Sequence, residues 1–490
     1  MIQILAAVFL PVLAGLSLLL APPPSGRSLV WRTEGPACLT SALVWSIAAM
    51  GRGAVSPFAL LSFADGFSLT FGADGLTLLF ALMLSVMWPL VLLYAYSYME
   101  DDDAKNRFFA FYLATYGIAL GVAFADNLLT LYVFYEMLTL ITIPLVAHYG
   151  NHESLYAARK YAAYTMGGAS LVFLAMILMT IYGSGGTFAW GGTLRADASA
   201  HLVRIAYLLG FFGFGVKAAV FPLHDWLPEA SAAPTPVTAL LHAVAVVNAG
   251  VFALMRLTWY VFGPDILRNT RLQSGLLLTV GFSMVYAAGM ALREKHFKRR
   301  LAYSTMSNLA YMLLGLLMLN TDGFLAGMTH MVFHSIIKMS LFLCAGAFMH
   351  RTGCAYVYEV NGAGRRMPVT FVCYTLGALS LIGIPLFCGF ISKWRLLTAA
   401  AEEGSGRGLA GMVCLLTAAF LCAVYTLTIS ARAFFPAEGR DLYAASGRTV
   451  READWRMLLP IVFFTGLNLL FGLWPAPVLQ MLGRIAEGIW

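Results

Sequence analysis

The sequence has few charged residues for its length. Asp, Glu, Lys and Arg make up 11% of 490 residues, hydrophobic residues make up 60%, and the mean hydropathy is +0.78. A soluble protein carries about a quarter charged residues, because its surface must be hydrated. The composition therefore excludes a soluble protein. Apolar runs of about 18 or more residues recur along the chain, which is the length that a helix needs to cross ~30 Å of hydrocarbon.

Clustered cysteines and nucleotide-binding motifs are also missing. The seven cysteines form no CxxC pair and lie mostly in apolar runs, so neither an iron–sulfur site nor a disulfide framework is expected. The longest polar stretch, residues 433–454, is only a loop. We therefore predict no bound cofactor and no metal. The net charge of +7 is spread over short loops, which favours membrane topology over a nucleic-acid partner.

The apolar runs predict an all-α polytopic membrane protein with about 14 transmembrane helices. Residues 1–21 lack a basic start, so they are expected to form the first span rather than a signal peptide that is removed. The predicted spans are 2–22, 36–51, 76–98, 107–124, 127–148, 160–183, 203–222, 235–262, 274–292, 301–320, 323–349, 370–392, 408–432 and 457–476.

The distribution of Lys and Arg predicts the orientation of these helices. Loops after odd-numbered helices, with the helix ends that flank them, hold nineteen Lys and Arg residues, whereas loops after even-numbered helices and the tail hold eight. Positively charged loops stay in the cytoplasm. Both termini are therefore expected outside, in a multi-pass protein of the cell's inner (cytoplasmic) membrane.

Ionisable residues inside the predicted spans are the main sign of function. A charge at the centre of a membrane helix costs ~3 kcal/mol on insertion scales, so such residues are seldom accidental. Glu136, in DNLLTLYVFYEMLTLITIPL, lies about 14 Å along the fifth helix. Lys217, Arg256, Lys338 and Lys393 fall inside a span or at the end of a broken one. The alternatives are a carboxyl that only bonds a neighbouring helix and lysines that reach the membrane surface.

Two of these lysines accompany predicted helix breaks. Prolines follow Lys217 closely, so the seventh helix is expected to break shortly after it. Gly383, Pro385 and Gly389 are expected to break the twelfth helix just ahead of Lys393. Transporters build ion sites at such breaks. The matching positions predict two repeats, formed by helices four to eight and nine to thirteen.

Histidines add further groups that can carry protons. His330, His334 and Lys338 in THMVFHSIIKMSLF are spaced i, i+4, i+8, which places them on one face of the eleventh helix over ~12 Å. His242, near the start of the eighth helix, could connect them to Lys217. Histidine titrates near neutral pH, which favours a proton relay. Histidines that only pack remain an alternative. Zinc is disfavoured, because HMVFH lacks the glutamate of HExxH.

Several stretches resemble the antiporter-like subunits of respiratory complex I, the large Mrp sodium/proton antiporter subunits and the membrane arms of energy-converting hydrogenases. These stretches are FPLHDWLPEASAAPTPVTALLHAVAVVNAGVFALMR, HFKRRLAYSTMSNLAYMLLG, MTHMVFHSIIKMSLFLCAG and LIGIPLFCGFISKW, and the resemblance runs from about residue 70 to 435.

The resemblance implies two inverted five-helix repeats, broken helices 7 and 12, and a central line of protonatable residues. It implies that Glu136 pairs with Lys217, that His242 belongs to the eighth-helix connection, and that Lys393 serves the exit. His330, His334 and Lys338 would form the eleventh-helix relay. Asn248 is a departure, because many relatives have lysine there. The chain also ends soon after helix fourteen, without the long lateral helix of the distal complex I subunit.

The expected organisation has four parts: helices 1–3 in residues 1–106, the first repeat in 107–262, the second in 263–433, and a loop, helix and tail in 434–490. The leading hypothesis is a proton-translocating subunit of a redox-driven complex that holds no redox centre itself. The alternatives are a structural scaffold and a Mrp-type sodium/proton antiporter subunit. Expected partners are homologous antiporter-like and small membrane subunits, peripheral redox subunits and protons, with sodium left open.

Overall fold

The structure is a computed structural model that describes residues 1–23, 25–51, 56–64, 67–183, 186–195, 197–437, 441–445 and 450–489. Three residues counted in the charge comparison, Arg52, Arg440 and Arg448, lie outside the described residues, as do parts of the polar loop predicted at 433–454.

The N-terminal part consists of helices and one hairpin. Its elements are α1 (Ile2–Leu20), α2 (Gly26–Met50), β1 (Phe58–Ala64), β2 (Phe67–Phe71), α3 (Gly75–Tyr98) and α4 (Lys105–Ala123). The strands pair antiparallel, with Phe58 opposite Phe71. The all-α prediction misses this hairpin. The alternating polar and apolar residues of a strand are hard to recognise in a sequence that is apolar nearly throughout.

The central part contains the first broken helices. It comprises α5 (Leu128–Val146), α6 (His152–Tyr182), α7 (Ala200–Gly215), α8 (Trp226–Glu229), α9 (Thr235–Ala243), α10 (Val246–Arg256), a π-helical segment (Leu257–Phe262), α11 (Arg271–Arg293) and α12 (Phe297–Leu317). The eighth span, predicted as unbroken over 235–262, is therefore interrupted after Ala243.

The C-terminal part contains the longest helix and the second break. It comprises α13 (Thr321–Thr352), α14 (Ala363–Arg366), α15 (Pro368–Ile382), α16 (Cys388–Glu402), α17 (Gly406–Phe434), α18 (Leu442–Ala445), α19 (Trp455–Leu473) and α20 (Ala476–Ala486). The break between α15 and α16 lies just ahead of Lys393, as the sequence predicts. Gly389, however, belongs to the first turn of α16.

Polar N-caps fix where several helices begin. The side chains of Asp74, Asn127, Asn151 and Asn320 accept hydrogen bonds from the backbone N–H three residues on, at 2.7 to 2.9 Å. These bonds satisfy donors that have no partner within the helix, which matters most where water is scarce. The strongest helix-start signals therefore stand directly before the apolar runs.

The second helix begins ten residues earlier than predicted. Ser25 caps it by accepting a hydrogen bond from Ser28 N at 3.2 Å. Arg32 lies inside the helix and donates to the carbonyls of Ser17 and Ala21 at the end of α1, at 2.9 and 2.6 Å. The charged residues that suggested a loop are thus accommodated by the end of the neighbouring helix.

Nine helical segments in the described ranges are long and apolar enough to cross a membrane, and α7 and α15 are apolar but shorter. Hydrogen bonds join their connections at two opposite ends of the bundle. On the hairpin face, Gly72 N bonds Phe124 O at 3.0 Å, and Phe188 N bonds Asp126 O at 2.7 Å. On the opposite face, Arg107 bonds His148 O at 2.9 Å.

The helix α13 forms the centre of the bundle. Nearly all of its residues from 323 to 348 are buried, and it packs against α9, α12, α15, α16 and α19. At ~1.5 Å per residue it is about 48 Å long, which exceeds the ~30 Å apolar core of a bilayer. Polar side chains on this helix are therefore enclosed by protein rather than by lipid.

Candidate functional site

Lys217 lies in the break between α7 and α8. Its side chain is buried, its Nζ donates to the backbone oxygen of Tyr135 on α5, and Nζ lies 3.4 Å from the centroid of the Tyr135 ring. The prediction that the helix breaks after Lys217 is wrong, because α7 already ends at Gly215. Val220 N donates to Gly215 O at 3.0 Å, which closes a turn before the chain reaches Pro222.

Close packing and one indole group support this break. A Cβ on Gly250 would lie 2.5 Å from Ala218 N, so glycine lets α10 approach the backbone beside Lys217. Trp226 Nε1 donates to Val216 O at 2.8 Å, which satisfies a carbonyl at the end of the helix. Interrupted helices persist in membranes where protein satisfies their backbone in this way.

Glu136 lies next to Tyr135 on α5 and is half-buried. Its carboxylate and the Lys217 ammonium attract each other electrostatically. Its buried Oε1 atom has no hydrogen-bond partner among the described residues. The two predicted partners are therefore neighbours, and a water between them is the ordinary way to complete such a contact.

His242 lies in the last turn of α9, just before the break that separates α9 from α10. Its ring stacks on Phe342 of α13 with centroids 4.9 Å apart, and Nε2 lies 3.5 Å from Ser231 Oγ. In the part of the chain that the structure describes, Nδ1 of His242 has no partner. His242 therefore contacts the central helix, as the sequence suggests, through a ring rather than through a charged group.

Asn248, the departure from the family pattern, connects α10 to α13. Its Nδ2 donates to Ser335 Oγ at 2.7 Å and to Ala243 O at 2.8 Å. The amide thus takes a carbonyl freed by the break and holds a hydroxyl on the next turn of α13 after His334. A neutral hydrogen-bonded link occupies the position where many relatives have lysine.

The three predicted residues on α13 are all fully buried. The rings of His330 and His334 have centroids 5.9 Å apart, and Lys338 follows one turn later. His330 is bonded through Nδ1 to Ser392 Oγ at 2.9 Å and through Nε2 to Asn308 Oδ1 at 3.2 Å. Both ring nitrogens of His334 lack a partner within the described ranges.

Two lysines complete the line. Lys338 Nζ donates to Leu301 O at 2.9 Å and to Ser304 Oγ, both on α12. Lys393 Nζ donates to Leu381 O at 2.6 Å and to Ile382 O at 3.2 Å, the last carbonyls of α15. A cation at a helix C-terminus is stabilised by the helix dipole. The break between α15 and α16 thus provides the binding place for the Lys393 ammonium.

Neutral polar residues that the sequence analysis did not select connect the charged ones. Ser392 precedes Lys393 in α16 and bonds His330, so α13 and α16 meet beside that lysine. The ring of Tyr311 lies 4.9 Å from Lys393 Nζ and edge-on to His330. The available signal was the group of polar residues in YSTMSNLAY, which interrupts an apolar helix and supplies Ser304, Asn308 and Tyr311.

Lys298 was counted among the loop charges, and that assignment is wrong. It lies in the first turn of α12, is 4% exposed, and donates to Ala233 O at 2.8 Å. It lines a cavity of about 210 Å³ on the opposite face, together with Ser231, Glu153 and His296. The apolar run begins only at Leu301, so no pattern in the sequence indicates that neighbouring segments cover the preceding turn.

No group of three or more His, Cys, Asp and Glu side chains close enough to hold a metal ion occurs in the described ranges. His330 uses both nitrogens for neutral partners. Together, the long apolar helices and the buried line of Glu, Lys and His residues define a polytopic helical membrane protein with ionisable groups enclosed by its bundle.

The chain belongs to the family described as NADH:quinone oxidoreductase/Mrp antiporter, TM, whose model matches residues 125–421. A second model, described as NADH-Ubiquinone oxidoreductase (complex I), chain 5 N-terminus, matches residues 62–109. The two matched ranges contain the hairpin strand β2 and all seven predicted pathway residues.

Named relatives come from both branches of this family. A large Na(+)/H(+) antiporter subunit of Alkalihalophilus pseudofirmus is 32% identical over 84% of this chain and 53% of its own length. The NAD(P)H-quinone oxidoreductase chain 5 of Synechocystis sp. is 30% identical over 80% of this chain and 60% of its own length. The chain thus spans between half and two thirds of the length of these relatives.

Solved structures share the fold over nearly the whole chain. A structure of the Mrp complex from Dietzia sp. contains a chain with a TM-score of 0.84 and 21% identity, covering 100% of this chain and 98% of that one. A chain of respiratory complex I from Thermus thermophilus gives a TM-score of 0.83 and 24% identity, covering 99% and 98%. At these identities the likeness establishes the fold.

Proposed function

We propose that this chain is a proton-translocating, antiporter-like membrane subunit of a redox-driven complex of the NADH–quinone oxidoreductase or energy-converting hydrogenase type. The observation that carries the proposal is the line of buried ionisable residues from Glu136 and Lys217 to Lys393, enclosed within the bundle of a chain from this family. The chain supplies acids, bases and hydrogen-bonding groups, and electron transfer takes place in other subunits.

The first part of the pathway is the Glu136–Lys217 pair. A change in the charge of Glu136 alters the stability of the nearby ammonium, because two unit charges interact strongly where water is scarce. A proton released by Lys217 then moves toward α13. His242 and the hydrogen-bonded pair Asn248 and Ser335 lie between Lys217 and the α13 histidines, so we assign the central connection to them.

The second part of the pathway runs along α13 and crosses to α16. His334 and Lys338 receive the proton, and His330 hands it on through Ser392 to Lys393. An imidazole can accept a proton on one nitrogen and release one from the other, which suits a relay. Lys393 is held by carbonyls at the end of α15, and an arriving positive charge favours release of its proton on the hairpin face.

We further propose that the chain crosses the inner (cytoplasmic) membrane about 14 times, with both termini and the hairpin face outside. The residue ranges 107–262 and 263–433 form inverted five-helix repeats, after the helices of residues 1–106 and before the loop, helix and tail of 434–490. The excess of Lys and Arg in the loops of the opposite face supports this orientation. The breaks beside Lys217 and Lys393 support the repeats.

The proposed partners are other membrane subunits, antiporter-like or small, and peripheral redox subunits. Structures that share this fold belong to assemblies named as the Mrp complex, respiratory complex I and a membrane-bound sulfane sulfur reductase, which is described as an archaeal respiratory membrane complex. The half-buried Glu136 lies where a neighbouring membrane subunit would shield it from lipid.

The direct test replaces Lys217 by Met in the assembled complex, reconstituted in vesicles. Methionine keeps the length of the side chain and cannot hold a proton. We expect redox-driven proton uptake to fall at least about tenfold, with the complex still assembled. Lys295→Met is the matched control, because Lys295 is exposed on the opposite face and should leave uptake unchanged. A Lys217→Met complex that builds a full proton gradient would contradict the proposal.

A Mrp-type sodium/proton antiporter subunit is the second candidate. The match to the Na(+)/H(+) antiporter relative over 84% of this chain favours it. This function needs no electron donor, because an existing ion gradient drives the exchange. Sodium-dependent proton flux in vesicles without a redox donor would select it, whereas flux that requires the donor would select the redox-driven complex.

A further inference from the structure

A second group of charged residues lies on the hairpin face, away from the seven predicted pathway residues. Asp74 caps α3, Arg256 ends α10, and Asp126 lies in the short connection between α4 and α5. Strand β2 ends at Phe71, and Gly72 is packed closely against the Asp126 carboxyl. Three charged side chains from three parts of the chain therefore meet under the hairpin.

Asp74 and Arg256 form a tight ion pair. Arg256 is fully buried, and its Nη2 atom lies 2.6 Å from Asp74 Oδ1 and 2.7 Å from Thr77 Oγ1. The guanidinium also lies 4.5 Å from the centroid of the Tyr260 ring. The two carboxylate oxygens of Asp74 are both taken by this guanidinium. The pair is thus neutralised within itself.

Asp126 is the additional charge in this group. It is 8% exposed, and its backbone is fixed by Asp126 N to Thr70 O at 3.0 Å and by Phe188 N to Asp126 O at 2.7 Å. Its Oδ2 atom and the Nε atom of Arg256 are both buried and have no partner among the residues that the structure describes. Burial raises the pKa of Asp126 to about 7, with Arg256 lowering it and Asp74 raising it.

A cavity of about 180 Å³ lies beside this carboxyl. Its lining includes Asn127, which follows Asp126 in the chain, and Phe188, which bonds the Asp126 backbone. Thr180 and Thr187 add hydroxyl groups to the wall. A water molecule occupies ~30 Å³ in the liquid, so the cavity has room for several. Asp126 is therefore positioned to exchange a proton with water on the hairpin face.

An aromatic stack separates this group from the central line. Phe252 lies one turn before Arg256 and one turn after Asn248, so the three residues share a face of α10. The Phe252 ring stacks on Phe80 of α3 with centroids 5.0 Å apart and lies 5.2 Å from the Arg256 guanidinium. Apolar constrictions of this kind stop water, and hence protons, without any moving charge.

We propose that Asp126, beside the Asp74–Arg256 ion pair, is a proton-binding port of the first half on the hairpin face, closed from the central line by the Phe80–Phe252 stack. The inference rests on the proposed proton transport. It adds a second place at which protons meet the aqueous phase on this face, in addition to Lys393. The unpaired atoms within the described group, the adjacent cavity and the stack carry it together.

The first test measures redox-driven proton transport in vesicles that contain the assembled complex with Asp126→Asn or Asp126→Glu. Asparagine keeps the shape of the side chain and cannot bind a proton, so we expect transport to fall at least about tenfold. The glutamate variant should keep more than about a third of it. Lys217→Met is measured in parallel, because its failure to stop transport would contradict the proposed function itself.

The second test leaves the native carboxyl in place. Thr187→Cys, in a background with the exposed Cys38 replaced by Ala, is labelled from the hairpin face with a charged methanethiosulfonate reagent. We expect labelling to block transport at least about fivefold and a reducing agent to restore it. Ser274→Cys is the matched control, since Ser274 lines a different, apolar cleft between α11 and α17.

The third test looks for a gain of proton flow. Phe252→Ala should raise the passive proton leak of undriven vesicles at least about fivefold, and adding Asp126→Asn should abolish the increase. The port is overturned if transport is normal in Asp126→Asn while Lys217→Met stops it, or if labelled Thr187→Cys transports normally. A Phe252→Ala leak that persists with Asp126→Asn would likewise remove Asp126 from the path.

Discussion

At the scale of single residues, backbone carbonyls hold the buried lysines. Lys217, Lys298, Lys338 and Lys393 each donate to a main-chain oxygen, and none of these four forms an ion pair within 4 Å in the described ranges. A carbonyl accepts a hydrogen bond from a neutral amine as well as from an ammonium. A carboxylate at the same place would favour the charged form strongly. Carbonyl partners therefore let a lysine gain and lose its proton without leaving an unpaired anion.

Ser304→Asp tests whether the lysines need neutral partners. Ser304 is a hydrogen-bond partner of Lys338, so a carboxylate there should hold Lys338 in its charged form. We expect proton transport by the assembled complex to fall at least about tenfold, although no lysine has been removed. Ser304→Asn is the neutral control and should retain most of the transport. Equal rates for the Asp and Asn variants would mean that Lys338 does not need to release its proton.

The two histidines of α13 should respond differently to replacement. His330→Phe leaves Asn308 and Ser392 without their partner, which costs about 1–3 kcal/mol for each buried polar group left unsatisfied. His334→Phe removes no hydrogen bond seen in the described residues. We expect a clearly lower thermal unfolding temperature in the first variant only, and reduced proton transport in both. Similar unfolding temperatures for the two variants would contradict the different roles of the rings.

At the scale of elements, glycine makes the second break possible. Gly389 N donates to Ser380 Oγ at 3.1 Å, and a Cβ on Gly389 would lie 1.9 Å from Ser380 O. No side chain fits between the end of α15 and the start of α16. This close approach fixes the position of Lys393 relative to the carbonyls of Leu381 and Ile382.

Gly389→Ala should therefore separate the two half-helices and displace Lys393. We expect destabilisation of about 2 kcal/mol or more, in the range given by overpacked sites, and a matching loss of proton transport. Thermal unfolding in detergent and transport in vesicles measure the two effects. Gly466→Ala on α19 is the control, since an added Cβ there meets nothing within 4 Å. Unchanged stability in Gly389→Ala would show that the break tolerates a side chain.

The sequence predicts the elements unevenly, for physical reasons. Apolar length predicts helices such as α3 and α5 to within a few residues. Hydropathy does not register the capping of α1 by Arg32, which lets α2 begin at Gly26, or the turn that ends α7 before Lys217. It also misses the hairpin, because strand alternation is faint in an apolar chain. Ser335 and Ser392 were missed because their importance depends on which helices touch.

At the scale of the whole molecule, α13 joins the two breaks. It contacts α9 on one side and α15 and α16 on the other, so groups from both halves converge on its polar face. The family, the membrane location and the ionisable residues within the spans could be predicted from the sequence. Which neutral residues connect them could not, because that depends on helix packing. The number of spans, the orientation and the repeats stay predictions.

Proton movement along the buried line from Glu136 to Lys393 is best tested at the far end of that line. The measurement is proton transport by the assembled complex carrying Lys393→Met, in vesicles, with electron transfer recorded in the same sample. We expect transport to fall at least about tenfold while the complex still assembles, because methionine cannot hold a proton. A Lys393→Met complex that pumps at the full rate would rule out this pathway and would leave the chain as a scaffold for other subunits.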